Sequence, residues 1–426
     1  MTNGAHPAHE QTASRVTGIG PRGLTDRRWQ LAILLCAITT INYLDRQAFA
    51  VASPAIVEQF DISNTRFGEI TAAFLFFYGL GHLIVGPLID RFGTRRAFST
   101  AVVAWSVVGI LHSAARGYWS FLVCRSLLGL FEAANFPAAV KAIAEKFPAK
   151  ERTVAVGILT VGPGLGAVLA PPLLGVIIVW IGWRWAFIVP GLAGFIWLLW
   201  WRRLYPAQPS VTDDAPSASG SGGLRRHLRR GEVWGLLVSR ALNDGAFYFF
   251  VGWLPLYLAQ ARGFSLVEIA AFAWIPFLAA DVGSLAGGYL GRFLISRGQS
   301  LDASRKTLIW AGTILVVVSL PAGSADSAVA ALALIALAMF AIQLKAASLF
   351  ALPADLFPST RVGTIWGWFG AAGAFGASAF NQGAGWVSEH YAYEPVFWAM
   401  GITQILSAIV ISWFVPEIRN LEAEPR

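Results

Sequence analysis

A chain of 426 residues is long enough for two or three soluble domains, yet 56% of its residues are hydrophobic and only 13% carry charge. That charged share is about half of what ordinary soluble proteins carry. The formal net charge of +8 is spread over many short polar segments, so it describes no nucleic-acid patch. Cys36 and Cys124 both fall inside apolar runs and imply neither a disulfide nor a metal framework.

In chain order, residues 1–28 are polar and lack the apolar core of a cleavable signal; they read as a cytoplasmic tail. Apolar runs then recur at 29–53, 67–89, 97–115, 119–142, 154–179 and 184–203. A stretch rich in Pro, Ser and Gly at 204–233 follows, ending in the basic run 224–230, which suits a flexible tether lying at lipid headgroups. Further runs fall at 234–259, 267–291, 307–324, 328–352, 361–386 and 394–415, before a short tail at 416–426. Runs of about 20 residues cross a ~30 Å hydrocarbon core, and helices satisfy their own amides there. The predicted fold class is therefore an all-α polytopic membrane protein of twelve transmembrane helices. Its two halves, 29–203 and 234–415, are expected to be pseudo-symmetric six-helix bundles. A weak repeat supports that division: Gly86-Pro87-Leu88-Ile89-Asp90-Arg91-Phe92-Gly93 follows span 2, and Gly288-Tyr289-Leu290-Gly291-Arg292-Phe293 follows span 8.

Of the 32 Lys and Arg, only Arg66, Arg116, Arg184 and Arg262 fall on one set of alternate loops. The other set, the linker and the tails hold nearly all the rest, which predicts cytoplasmic termini and linker. Two six-helix halves around a midplane site are the plan of a secondary transporter.

Charges inside the spans point to the site, because each costs about 2.5–3.5 kcal/mol at a helix centre unless it is paired or wet. Asp45, Arg46, Arg125, Glu132, Asp244, Asp281 and Lys345 are such residues. In span 1, Asn42 and Tyr43 lie one turn before Arg46, placing an amide and a phenol beside a guanidinium that can grip a carboxylate. In span 4, Arg125 and Glu132 are two turns apart and share a face. An acid paired with an arginine at depth can carry a proton, since protonation releases its partner. The turn Asp90-Arg91-Phe92-Gly93-Thr94-Arg95-Arg96 could bind neighbouring helix ends and hold one conformation shut. For Lys345 two readings stand: an ion pair with an acid such as Asp244, or a second contact for an anion.

Taken together these residues resemble the major facilitator superfamily, whose signature between helices 2 and 3 is similar to the segment from Gly86 to Arg96. More narrowly the chain resembles the anion:cation symporter family on its hexuronate-transporter branch. The resemblance runs over about 29–416, through INYLDRQ at 41–47, RSLLGLFEAANFPAA at 125–139, FPAKERTVAVG at 147–157, YFFVGWLPLYL at 248–258 and LFALPADLFP at 349–358. It implies proton-coupled import of a small organic anion, such as a hexuronate or aldonate, by alternating access across the cell inner membrane. Protons and lipid are then its other partners, and the functional unit is a monomer with no cofactor and no metal. It also implies roles: Arg46 for the carboxylate, with Tyr43 and Tyr78 nearby; Asp45 and Glu132 for protons, with Arg125 as their partner; Asn381 for substrate polar groups. Gly86, Asp90, Arg91, Gly93 and Arg95 would form the conformational gate.

The chain departs from that pattern in places. Thr160-Val161-Gly162-Pro163-Gly164 in span 5 lacks the amides the family often uses for sugar hydroxyls. Lys345 stands where an aromatic is expected, Ser348 where an amide is expected, and Arg292 replaces an acid. The first three departures favour a less hydroxylated or doubly charged acid over a plain sugar acid. The glycines of span 5 resemble a motif of proton-driven drug exporters, which gives one rival reading; close helix packing is the other explanation for them. A non-transporting membrane sensor is a further rival. No nucleophile–base pair or phosphate-cradling loop suggests an enzyme.

Overall fold

The computed structural model describes residues 26–205, 230–357 and 359–418. Most of the expected linker, with the basic run up to 229, lies outside them, as do residues 1–25 and 419–426 of the two tails.

The described residues form twelve helical passes. The first half comprises α1 (Arg27–Phe60), α2 (Asn64–Phe92), α3 (Thr94–Leu111), α4 (Tyr118–Glu132), α5 (Asn135–Lys146), α6 (Ala149–Ile181) and α7 (Trp185–Leu204). The second comprises α8 (Gly231–Arg262), α9 (Leu266–Phe272), α10 (Ile275–Ser296), α11 (Leu301–Ser319), α12 (Ala328–Leu349), α13 (Leu352–Leu356), α14 (Ser359–Tyr391) and α15 (Glu394–Phe414). The pairs α4/α5, α9/α10 and α12/α13 form the fourth, eighth and tenth passes.

Those three passes read as continuous in sequence but are interrupted, at 133–134, 273–274 and 350–351. Each interruption lies just ahead of a proline, Pro137, Pro276 or Pro353. Proline lacks an amide hydrogen and its ring crowds the carbonyl four residues back, so the helix opens at that point. Several helices also run beyond the apolar segments, because polar side chains cap their ends. Asp26 accepts from the amide of Arg28, and Ser63, Ser300 and Ser327 cap α2, α11 and α12 in the same way.

Among the described residues, nine segments are long and apolar enough to cross a membrane by composition alone. The other three passes, α1, α8 and α14, have 34, 32 and 33 residues, ample length for a bilayer. Their apolar character is diluted by Asn42, Asp45, Arg46 and Gln47 in α1, by Asn243 and Asp244 in α8, and by Ser378 and Asn381 in α14, all buried. Lipid does not see these groups; the centre of the molecule does.

Three apolar clusters hold the helices. One joins both halves at the end away from the chain termini, through Phe49, Phe67 and Phe121 with Phe249, Trp253 and Tyr257. A second, around Phe98, Trp105, Trp197 and Trp201, belongs almost wholly to the first half; a third, around Leu236, Leu349 and Phe369, belongs to the second half. Both lie at the terminal end. The halves are thus sealed on one side and separately packed on the other. Small residues allow the closest approach at the seal: a Cβ on Gly68 of α2 would lie 2.9 Å from the carbonyl oxygen of Asn381 and from the Cα of Gly385 on α14. Glu389 of α14 also accepts a 2.7 Å hydrogen bond from the amide of Thr65 at the start of α2.

Candidate functional site

Arg46 sits on α1, 3% exposed, at the midpoint between the sealed and divided ends. Its Nε and Nη2 donate to Oε2 of Glu132, each at 3.2 Å. Its Nη1 has no hydrogen-bond partner. Aromatic rings surround the guanidinium, with the Cζ 4.7 Å from the centre of the Tyr43 ring, 4.6 Å from Tyr78 and 5.1 Å from Phe74. Glu132 is the last residue of α4, where the proline-driven interruption begins. Helix α4 lies tight against α2, since a Cβ on Gly129 would fall 2.2 Å from the carbonyl oxygen of Phe74.

The other two charges of this half lie close by. Arg125 donates to the carbonyl oxygen of Arg46 at 3.3 Å and stacks near Phe74 and Phe49. Asp45 is 2% exposed, and neither carboxylate oxygen has a hydrogen-bond partner. It faces Gly109 of α3, where a Cβ would stand 3.2 Å from its Oδ1. A carboxyl without a donor can take up a proton without breaking a bond. Asn42 is buried beside this cluster and lines neither of the cavities described next.

A cavity of about 20 Å³, room for a single water, separates the halves beside Arg46, Arg125 and Thr71 on one side and Tyr248 and Asn381 on the other. Asn381 donates to the carbonyl of Ala377, and its own amide oxygen is unpartnered. A second cavity, of about 180 Å³, adjoins the same Tyr248 and is lined by Tyr43, Arg240, Asp244, Asp281 and Gln343, among others. Sequence reasoning did not single out Arg240. It forms a 2.7 Å ion pair with Asp244 one turn on, and its Cζ lies 3.6 Å from the centre of the Phe350 ring. The spacing Arg240-x-x-x-Asp244 inside an apolar span was the available signal.

Lys345 requires a correction. It neither pairs with Asp244, which Arg240 takes, nor lines either cavity. Its ammonium donates to the carbonyl oxygen and the side-chain oxygen of Gln404 on α15, both at 2.9 Å, and its side chain is fully buried. Gly312 of α11 closes the other side, where a Cβ would lie 2.8 Å from that of Lys345. The helix face carrying Lys345 turns towards α11 and α15, away from the centre.

The turn after α2 makes its contacts within its own half. Asp90 pairs with Lys141 of α5 at 2.5 Å, and Arg95 donates to the carbonyl of Arg202 on α7 at 3.3 Å. Thr94 donates to Glu145, which also accepts from Tyr205. Gly93 has φ +77°, the left-handed region that favours glycine. Gly86 meets no neighbour that a Cβ would touch, and Arg91 stacks on Phe92. Two glycines of α6 pack closely, Gly162 against Cys36 and Thr39 and Gly166 against Tyr43 and Thr40, while Gly157 meets no neighbour and Gly164 faces Asp281. Close helix packing accounts for Gly162 and Gly166.

Residues 35–380 match the family described as Major Facilitator Superfamily. The chain is 32% identical to the hexuronate transporter of Escherichia coli over 92% of its length and 95% of that protein. It is 29% identical to the D-galactonate transporter of Escherichia coli, covering 93% and 97%. Among solved structures it is similar, with TM-score 0.76 and 18% identity over 92% of this chain and 98% of the other, to a bacterial homologue of the human lysosomal transporter Spinster in an inward-facing conformation.

Proposed function

Because the chain belongs to the major facilitator superfamily, on the branch that holds the hexuronate transporters, we propose that it imports a small organic anion, a hexuronate or aldonate, by proton-coupled symport. The observation that carries this reading is Arg46. A buried guanidinium with one nitrogen unpartnered, ringed by aromatics and held by a single carboxylate, is a receptor waiting for a second carboxylate.

The mechanism follows from the pairing. With the site empty, Glu132 holds two of the Arg46 donors. A proton on Glu132 removes that hold and frees the planar fork for the substrate carboxylate, which two parallel N–H donors grip best. Proton and anion therefore favour each other's entry. Asp45, buried and unpartnered, takes a second proton near Arg125. Once Arg46 is neutralised by substrate, the halves close around it, and differential affinity for the closed state drives the exchange of access. Asn381 reaches the substrate from the second half.

In this reading the termini and linker are cytoplasmic, as the positive-inside rule argues, and the protein works as a monomer in the inner membrane. Residues 29–203 and 234–415 are its two moving bodies, and 204–233 tethers them. The separately packed end then faces the cytoplasm, so the conformation is inward-facing. Asp90 and Arg95 brace the first body at that face, where Gly86, Arg91 and Gly93 complete the turn.

The test is uptake into proteoliposomes with a panel of hexuronates, aldonates, aromatic acids and dicarboxylates. We expect at least one sugar acid to accumulate when the outside is acidified, and accumulation to collapse with a protonophore. Uptake that ignores both and depends on sodium would overturn proton coupling. Transport of cationic drugs with no carboxylate taken up would overturn the anion site.

A further inference from the structure

The larger cavity lies between the halves, with its charged groups, Arg240, Asp244 and Asp281, all from the second, and its chemistry differs from that around Arg46. Arg240 is held flat over Phe350 and paired with Asp244, yet its Nη1 has no hydrogen-bond partner. Asp281 of α10 and Gln343 of α12 line the same space, and neither forms a hydrogen bond or ion pair among the described residues. Tyr43 belongs to this cavity and also stacks on Arg46, and Tyr248 lines both cavities, so the two spaces adjoin with the Tyr248 ring between them.

Asp281 reaches the cavity because of a gap in α6. A Cβ on Gly164 would lie 2.4 Å from one oxygen of Asp281 and 2.7 Å from the other. No side chain larger than glycine leaves the carboxylate where it is. The segment 160–164, which lacks amides that could meet hydroxyls, is the segment that makes room for Asp281. What α6 omits, α10 supplies from the opposite half. Gly373 of α14 gives similar room to the ion pair, since its Cβ would stand 2.4 Å from Asp244.

The charge balance decides what such a pocket takes. One guanidinium faces two carboxyl groups, Asp244 and Asp281, so a second substrate carboxylate meets no spare cation. A hydroxyl both donates and accepts. It can give its hydrogen to Asp281 while taking one from Arg240 Nη1 or from the Gln343 amide. We propose that this cavity is the subsite for the hydroxylated end of the substrate, with Asp281 as its main acceptor, and that it selects polyhydroxylated monocarboxylates over dicarboxylates. The inference rests on the reading of Arg46 as the carboxylate receptor, and it reverses the expectation of a less hydroxylated or doubly charged acid.

The test compares D-gluconate and D-glucuronate with D-glucarate, which has the same six-carbon chain as gluconate and a carboxylate at both ends. Binding to the purified full-length protein is measured for wild type, Asp281→Asn and Gly164→Ala. We expect wild type to bind one of the monocarboxylates at least about 10-fold more tightly than glucarate. Asp281→Asn, which keeps the shape and removes the charge, should weaken the tighter monocarboxylate about 10-fold and leave glucarate unchanged or tighter. Gly164→Ala, by displacing Asp281, should shift the preference in the same direction. A wild type that prefers glucarate overturns the subsite, as does an unchanged ratio in Asp281→Asn. A wild type that binds none of the three acids overturns the reading of Arg46 itself, and the subsite falls with it.

Discussion

The buried charges of the two halves are wired differently. In the first half, Arg46 of α1 pairs with Glu132 of α4, 86 residues away and on another helix. Any motion of α1 against α4 stretches that pair. In the second half, Arg240 and Asp244 are one turn apart on the same helix, and Lys345 is bound to a neighbouring backbone carbonyl. Helix motion leaves an i,i+4 pair intact. The first half therefore carries a pair that can be exchanged for substrate and proton, while the second offers a fixed polar surface. Pseudo-symmetry of fold has not brought symmetry of chemistry.

Substitutions can break this contrast, and the largest effect belongs at Arg46. Arg46→Lys keeps the charge but not the fork, and an ammonium cannot reproduce two parallel hydrogen bonds. We expect substrate affinity to fall about 100-fold, a loss of about 3 kcal/mol on the scale where each 1.4 kcal/mol is tenfold. Equilibrium binding to the purified variant checks this, and near-normal affinity would make Arg46 structural.

A smaller effect is expected at Lys345, and on a different quantity. Lys345→Met leaves the buried side-chain oxygen of Gln404 without its donor, which costs about 1–3 kcal/mol of stability. Substrate affinity should stay within about twofold. A thermal melt read beside a binding titration separates the two. Unchanged stability with lost affinity would return Lys345 to the substrate site.

The smallest effect is expected at the sealed end. Hydrogen bonds from Thr65 hold the Glu389 carboxyl below its ordinary range. A depressed acid contributes its contact above its ordinary titration range, and the contact is lost as pH falls through the lowered value. Between pH 6 and 8 the link from α14 to α2 should therefore be constant. Glu389→Gln should speed opening of that end about twofold at neutral pH, read by accessibility of a cysteine placed behind the seal. A Glu389→Gln rate equal to that of the unsubstituted protein at neutral pH would remove Glu389 as a link at the seal.

Much of this architecture is legible in the sequence because a bilayer makes its demands locally. Each pass needs about 20 apolar residues, and each charge inside one stands out. Asp45, Arg46, Arg125 and Glu132 could be found that way, and the structure brings them into one cluster. Their partners could not, since a contact across 86 residues is set by how helices pack. Lys345 shows the same limit from the other side: its depth was readable, but the direction of its helix face depended on Gln404 of α15. Arg240 was missed because Asp244 drew attention without its neighbour one turn earlier. The interrupted passes were written in Pro137, Pro276 and Pro353, yet other prolines, such as Pro54 and Pro255, sit inside unbroken helices. A proline alone does not say whether its helix will open.

The central claim is that the Arg46–Glu132 pair exchanges one partner for substrate and the other for a proton. The most direct measurement is internal pH in proteoliposomes during uptake of the sugar acid identified by the panel, with no imposed pH gradient. Wild type should acidify the interior as substrate enters. Glu132→Gln, fixed in the shape of the protonated acid, should still exchange labelled for unlabelled substrate while its proton signal falls at least about 10-fold. Substrate entry in wild type without acidification, or an undiminished proton signal in Glu132→Gln, would contradict the account.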